Sequence, residues 1–298
     1  MARRSNRRAQ DAAVRNRRTL DRLVDRTVLR PLQRVWGRGT ARLHRELRRT
    51  AARGITTPAA IHSTIRSNLA DLLGSVGDEL ASSTGPVLTE SVRGVASYMG
   101  AIRELPGPLD DEGVVQSIVS THRLRLESMR LQTAAALAPG INRQIASVLA
   151  TSRFDQENVR DIIDSVGDRT DQQWWQIERV VRTETAHAFN TGQVESIFIL
   201  QEEMPRIMKR WTELVNDATG QPMDKRVAGD SIAMHGQVAM PADEFVMPAA
   251  PTAPPKMIGA TWPYPPNRPN DRAVVTPWMP GWDIPAWRMQ GGSKVTLR

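Results

Sequence analysis

Between Arg15 and Arg42 the chain repeats on a four-residue step that suits a helix and no other regular structure. Arg18, Arg22, Arg26, Arg30, Arg34, Arg38 and Arg42 recur at every fourth position, and Leu20, Val24, Val28, Leu32 and Trp36 recur on the same step offset by two. A step of four drifts by about 40° per repeat around an α-helix, but both rows drift together and stay on roughly opposite faces. The segment therefore predicts a basic amphipathic helix, with a kink or break expected at Pro31 or the Gly37/Gly39 pair. Three roles fit it. Arg15 and the seven arginines of the row could neutralise the phosphates of double-stranded DNA without reading its sequence. The Leu/Val/Trp face could pack on another subunit, leaving the arginines solvated. The helix could also lie on an anionic membrane surface, although Trp36 alone supplies an aromatic anchor.

Charge points in the same direction as the repeat. Residues 1–53 hold 17 Arg against Asp11, Asp21, Asp25 and Glu46, a net +13, whereas the other 245 residues carry 23 basic and 28 acidic groups, a net −5. A basic arm on a nearly neutral body suggests a polyanionic partner, nucleic acid before membrane. The choice of Arg over Lys, 36 to 4, runs through the whole chain and looks like coding preference, so the clustering carries more information than the residue type. The chain has no Cys, which excludes disulfides, a thiolate nucleophile and thiolate metal sites. No apolar run reaches the roughly 18 residues of a membrane span, and the basic start is not followed by the apolar stretch of a secretory signal. Neither a membrane partner nor a cofactor is expected.

The expected fold class is mainly α with a small C-terminal α+β element. Four consecutive segments are expected: a basic helical arm (1–53), a helical body (54–168), a long helix with a β-hairpin (169–247) and an extended Pro/Trp-rich tail (248–298). In the body, Thr57-Pro58 signals a helix start, with Ile61, Ile65, Leu69, Leu72 and Leu73 as its apolar stripe. A second helix follows Gly85-Pro86 with Val87, Val92, Val95 and Met99. A hinge is expected at Leu109–Gly113. A third helix from Val114 to Leu137 uses Val115, Ile118, Val119, Leu126 and Met129 as core, and a separate short helix follows Pro139-Gly140. Asp155 and Gly167 bracket another. Thr170-Asp-Gln-Gln173 has capping-box spacing and opens a long helix that runs to Pro205. Beyond it, Ile207–Val215 and Glu244–Met247 read as strands, and Ala273–Thr276 as one edge strand.

The long helix carries Arg182, Glu184, His187, Asn190 and Gln193, a polar density that core packing alone rarely needs. Glu184 and His187 have the spacing used in di-iron bundles, but a bundle site needs a second such pair and two more carboxylates, and the sequence has one copy. Asp217, Asp224, Asp230 and His235 could be drawn as a hydrolytic metal site, yet nothing in their spacing fixes a geometry. The Walker, Rossmann, nucleophile-elbow and zincin signatures are absent.

Val181-Arg-Thr-Glu-Thr-Ala-His-Ala-Phe-Asn-Thr-Gly192, Lys209-Arg-Trp-Thr212, Asp217, Arg226 and Asp230-Ser-Ile-Ala-Met-His-Gly-Gln-Val238 follow one another in an order that resembles the Mu F-like minor head proteins of tailed bacteriophages. Asp243-Glu-Phe245 and Pro265–Arg272 look like the closing elements. The resemblance covers roughly residues 170–285. It implies a low-copy structural protein of a phage capsid that acts in head morphogenesis, assembled in the host cytoplasm and placed in the virion at the portal vertex or inner shell. The implied partners are portal protein, major capsid or scaffolding protein, DNA and a further copy of the chain. Arg182, Glu184, His187, Asn190, Trp211, Asp217, Arg226, Asp230 and His235 are then expected to form a structural polar core, with no enzymatic role. Some members carry a Cys pair after the Asp turn. This chain has Val215–Met223 there, so hydrogen bonds must hold its turn. The alternative is a metal-dependent hydrolase or toxin-like effector domain using Glu184, His187, Asp230 and His235.

Overall fold

A computed structural model describes residues 2–54, 57–103, 108–151, 164–166, 168, 170, 173–216, 219, 221–223, 227–268, 271, 273–282 and 284–297. It is mainly α, with small antiparallel sheets toward the C-terminus. The chain forms two compact units that cut across the four expected segments. One comprises Met1–Leu23, Thr84–Leu124 and Arg182–Arg298, and the other Val24–Ser83 and Arg125–Val181.

The repeat of Arg15–Arg42 is helical throughout. Helix α1 (Ala2–Arg22) runs into a π-helical segment at Leu23–Leu29, and α2 (Arg30–Ala52) continues from it. Pro31 explains the wide turn, because it has no N–H for the Thr27 carbonyl and its ring crowds that oxygen; the π-helical turn accommodates the mismatch without ending the helix. Nor do Gly37 and Gly39 break α2. A methyl group at Gly39 would collide with the Leu72 side chain, so this glycine permits close approach of α3 (Pro58–Ser82). Thr57 caps α3 as its sequence suggests, its side chain accepting from Ala60 N–H. Leu32, Trp36, Leu43 and Leu47 are buried with Ile61, Ile65, Leu69, Leu72 and Val76, and Trp36 lies 6.3 Å from Trp174 between ring centroids. The apolar face of α2 is thus covered by the chain's own α3, which removes the reading in which that face waits for another subunit.

Buried Arg130, 1% exposed, closes the same unit. Its guanidinium donates at 2.8 Å to both Leu80 O and Ser83 Oγ, satisfying carbonyl and hydroxyl groups at the C-terminal end of α3. Helix α5 (Glu112–Thr151) contributes to both units and passes through Pro139 without interruption, so the expected separate helix after Pro139 does not exist. Met129, expected in the core, is 37% exposed. Where a hinge is expected, the segment before α5 forms a 3-10 turn at Pro108–Asp110 followed by Asp111, whose carboxylate accepts from Gly113 N–H at 2.7 Å.

In the other unit, α1 packs on α4 (Thr84–Arg103), whose Val87, Leu88, Val92, Val95 and Tyr98 are all buried. The long helix α6 (Trp174–Glu203), whose residues up to Val181 belong to the unit of α2 and α3, starts later than the expected capping box: Thr170 is itself helical and spends its hydroxyl on Val166 O. Strand β1 (Met208–Thr212) is the centre of a sheet ordered β2–β1–β5, antiparallel on both sides, with β2 at Val238–Ala239 and β5 at Val274–Trp278. The strand expected at Glu244–Met247 does not pair with β1; β3 (Phe245–Val246) pairs with β4 (Thr261–Trp262). The expected edge strand is present as β5, and Pro277, which has no N–H to give, is tolerated there because one side needs no ladder.

The pleat sends the two faces of β1 into different cores. Met208 joins Ala12, Tyr98, Val238, Trp278 and Ile284. Trp211 joins Met234, Phe245, Met247 and Ala273, with the Phe245 ring edge-on at 5.3 Å. Far from being only an extended wrap, the Pro/Trp-rich tail contributes β4, β5 and a hairpin of β6 (Ala286–Gln290) and β7 (Ser293–Leu297). Among the described residues no helix is long and apolar enough to cross a membrane.

Candidate functional site

The eight arginines expected to meet nucleic acid are all exposed: Arg15, Arg18 and Arg22 on α1, Arg26 in the π-helical turn, and Arg30, Arg34, Arg38 and Arg42 on α2. On α2 a four-residue step advances by about 6 Å along the axis, so the guanidinium groups form a closely spaced row. Their protein partners are weak. Arg42 lies 3.5 Å from Asp71 with both side chains more than half exposed, and among the described residues Arg22 reaches Thr19 Oγ1 and Arg18 O on its own helix. Exposed ion pairs of this kind exchange readily for an external anion.

Arg17 is the exception. It falls three residues before Leu20 and seven before Val24, on the apolar face, and is 3% exposed. Its Nη1 lies 3.4 Å from Glu213 Oε1, where both side chains are 3% exposed, and its Nε lies 3.6 Å from Asp21. Burial pushes the Glu213 carboxyl above the usual carboxylate range, and the Arg17 charge opposes that push. This pair ties α1 to the residue that follows β1.

The polar residues of α6 and the sheet serve as backbone partners. Asn190 Nδ2 donates to Ala273 O at 3.1 Å while its Oδ1 accepts from Val275 N–H at 2.8 Å, so the carboxamide acts as one more strand residue along the outer side of β5. Gln237 repeats the device: it donates to Val246 O and accepts from Val246 N–H, both at 3.0 Å, joining the start of β2 to β3. Ser91 of α4 donates to Phe189 O of α6. His187 stands edge-on to Tyr264 at 5.1 Å, and the Tyr264 hydroxyl lies 3.0 Å from Thr191 Oγ1. Burial lowers the His187 pKa and favours its neutral form.

Asp230 lies in the first turn of the short helix α7 (Gly229–Met234) and His235 just after its end, and the two have separate partners. The Arg268 Nε donates to both Asp230 oxygens at 3.0 and 2.8 Å, and Asp230 Oδ1 accepts from Ser231 N–H. Ser231 Oγ donates in turn to Asp271, whose carboxylate also accepts from Asn267 and Ala273 N–H groups. His235 Nδ1 accepts from Glu213 N–H at 3.1 Å, Arg210 Nη2 sits 3.5 Å from its Nε2, and its carbonyl accepts from Trp287 Nε1 at 2.8 Å. Arg182 and Glu184 are half-buried on α6. Asp217, Asp224 and Arg226 lie outside the described residues, as do Asp155 and Gly167. Among the described residues no group of three or more His, Asp or Glu is placed to hold a metal ion.

Several framework residues carried no sequence signal of their role: Glu213, Arg268, Asp271 and, above all, Lys209. The residue is 1% exposed, and its ammonium donates to Pro241 O at 3.0 Å and Pro263 O at 2.6 Å and lies 5.1 Å from the centre of the Phe245 ring. Burial lowers its pKa to about 8, opposed by the charges of Asp243 and Glu244. Below about pH 8 the amine is charged in folded and unfolded chains alike, and the folded state bears the full cost of burying it. Between that point and the unfolded value the unfolded chain holds more protons, so this residue makes stability rise with pH. Thermal unfolding is expected to show the rise between pH 8 and 10 in the parent protein and a smaller one in Lys209→Met, where Lys294, whose pKa burial also lowers, still contributes. With no Cys and only 4 Lys and 2 Tyr, few other groups titrate there.

No family model, curated protein or solved structure matches this chain.

Proposed function

We propose that this chain is a minor structural protein of a tailed-phage head, acting in head morphogenesis beside the portal and touching packaged DNA through its arginine face. The observation that carries the reading is the exposed row Arg26, Arg30, Arg34, Arg38 and Arg42 on a helix whose apolar side is already covered by its own chain. With that side occupied, the basic side is what the helix offers a partner, and the closely spaced phosphates of duplex DNA are a polyanion that a row of guanidinium groups can neutralise. The residues that carry the resemblance to Mu F-like proteins support a structural role, because Asn190, Gln237, Asp230 and Trp211 hold strands, helix and loop to one another. Portal protein and the major capsid or scaffolding protein are the protein partners this reading calls for.

The purified chain is expected to bind labelled duplex DNA of unrelated sequences with similar affinity, weakening steeply between 50 and about 200 mM salt as counterion release requires. Absence of binding at low salt contradicts the DNA part of the reading. Metal analysis and a nuclease assay on the same preparation address the hydrolase alternative. Activity lost in both Glu184→Ala and His235→Ala would replace the structural reading with an enzymatic one.

A further inference from the structure

The arginine row is a linear feature, but on α1 it also borders a concave one. Arg15, Arg18 and Arg22 line an open groove of ≈ 750 Å³ whose other wall is α4 and carries Arg93. Arg15 and Arg18 have no ion pair with any described residue, and Arg93, 53% exposed, lies 3.3 Å from Glu90 and 3.5 Å from Glu112. Two carboxylates, Asp21 and Glu90, also line the groove, so the guanidinium groups outnumber them four to two.

At the crossing of the two helices Asn16 is 4% exposed, and its Nδ2 has no hydrogen-bond partner among the described residues. A Cβ at Gly94 would lie 2.7 Å from Asn16 Oδ1, so glycine is what lets α4 approach the carboxamide this closely. A buried amide donor left unbonded costs about 1–3 kcal/mol, and Asn16 lines the groove between the arginines of the two walls. Thr19 and Ser97 add hydroxyl donors. Arg, Ser, Thr and Asn are the side chains that contact phosphate and sugar oxygens in DNA complexes. The groove contains no aromatic side chain, so it has no platform on which an unstacked base could lie.

We propose that the α1/α4 groove grips the phosphate backbone of duplex DNA, with Arg93 completing a site begun by Arg15, Arg18 and Arg22. This rests on the DNA-contact reading above and adds to it a residue on a different helix, 71 positions after Arg22. Exposed carboxylate pairs such as Arg93–Glu90 are weak enough to yield to a phosphate.

The test is fluorescence anisotropy of a labelled duplex and of a single strand of equal length, titrated with the full chain over a salt series. Arg93→Ser is expected to weaken duplex binding several-fold at low salt and to reduce the slope of log affinity against log salt by about 0.9, the share of one phosphate contact. Glu90→Gln is expected to tighten binding by removing a carboxylate from the groove. Arg206→Ser, an exposed arginine outside the groove, is expected to change neither quantity. If the parent protein binds duplex and Arg93→Ser leaves affinity and slope unchanged, the groove proposal is wrong while the DNA reading stands. If the parent protein fails to bind duplex at all, both are wrong. An Arg93→Ser effect confined to the single strand would also overturn the duplex assignment.

Discussion

Arg17→Ala is expected to lower the unfolding free energy by about 3–5 kcal/mol at neutral pH, the usual cost of removing one partner from a buried ion pair. The reason lies less in the lost attraction than in what remains, since the Glu213 carboxylate would stay buried with its compensating charge gone. Its pKa, already raised by burial, would rise further. The folded state would then hold more protons than the unfolded state from the ordinary carboxylate pKa upward to the raised one, so stability falls as pH rises through that window. The deficit relative to the parent should therefore be smaller at pH 5 than at pH 8 in urea denaturation. Adding Glu213→Gln should recover part of it by removing the stranded charge. A deficit under about 1 kcal/mol, typical of an exposed pair, would show that the pair is not the buried tie described above.

Asn190→Ala is the second large effect expected. The substitution deletes a carboxamide that is fully buried and leaves Ala273 O and Val275 N–H without their partner. Each orphaned backbone group costs about 1–3 kcal/mol, and the deleted side-chain volume adds to it. Because the bonds join α6 to the outer side of β5, amide hydrogen exchange should accelerate at Val275 well before it changes in α2 or α3. Asn190→Asp is the informative companion. It keeps the acceptor for Val275 N–H, sets a carboxylate against the Ala273 carbonyl, and should be at least as destabilising as alanine.

Much of the fold could be read from periodicity, and the exceptions share a cause. The arm is helical because Leu20, Val24, Val28, Leu32 and Trp36 keep helical spacing, and every one of them but Trp36, at 4%, is no more than 3% exposed. What covers them was not readable, since α3 and α4 lie tens of residues farther along and nothing in a periodic row identifies its partner. The same limit applies to the strands. Alternation marked 207–215, but which segment pairs with β1 is a long-range choice, and Val238–Ala239 is too short to alternate. Pro139 was expected to end a helix and α5 runs through it, which shows that the surrounding helix outweighs one lost hydrogen bond.

Candidate site residues divide in a similar way. The exposed arginines were legible because they repeat. Asn190 was expected in the polar core through the resemblance, but its partners were not, because Asn190 and Gln237 act by donating to and accepting from backbone, a geometry that leaves no residue pattern. Arg17 did carry a signal: it sits one position out of step with the basic row and in step with Leu20 and Val24. Lys209, inside the strand signal, carried none.

The exposed arginines, proposed to contact DNA, and the buried residues beneath them, which hold the fold, can be separated in one variant. In Arg26→Gln, Arg30→Gln, Arg34→Gln, Arg38→Gln and Arg42→Gln combined, only exposed charges change, so thermal unfolding should stay close to the parent's. The slope of log duplex affinity against log salt should fall by about 0.9 for each arginine that meets a phosphate. A well-folded variant with the parent's affinity and salt slope would contradict the account.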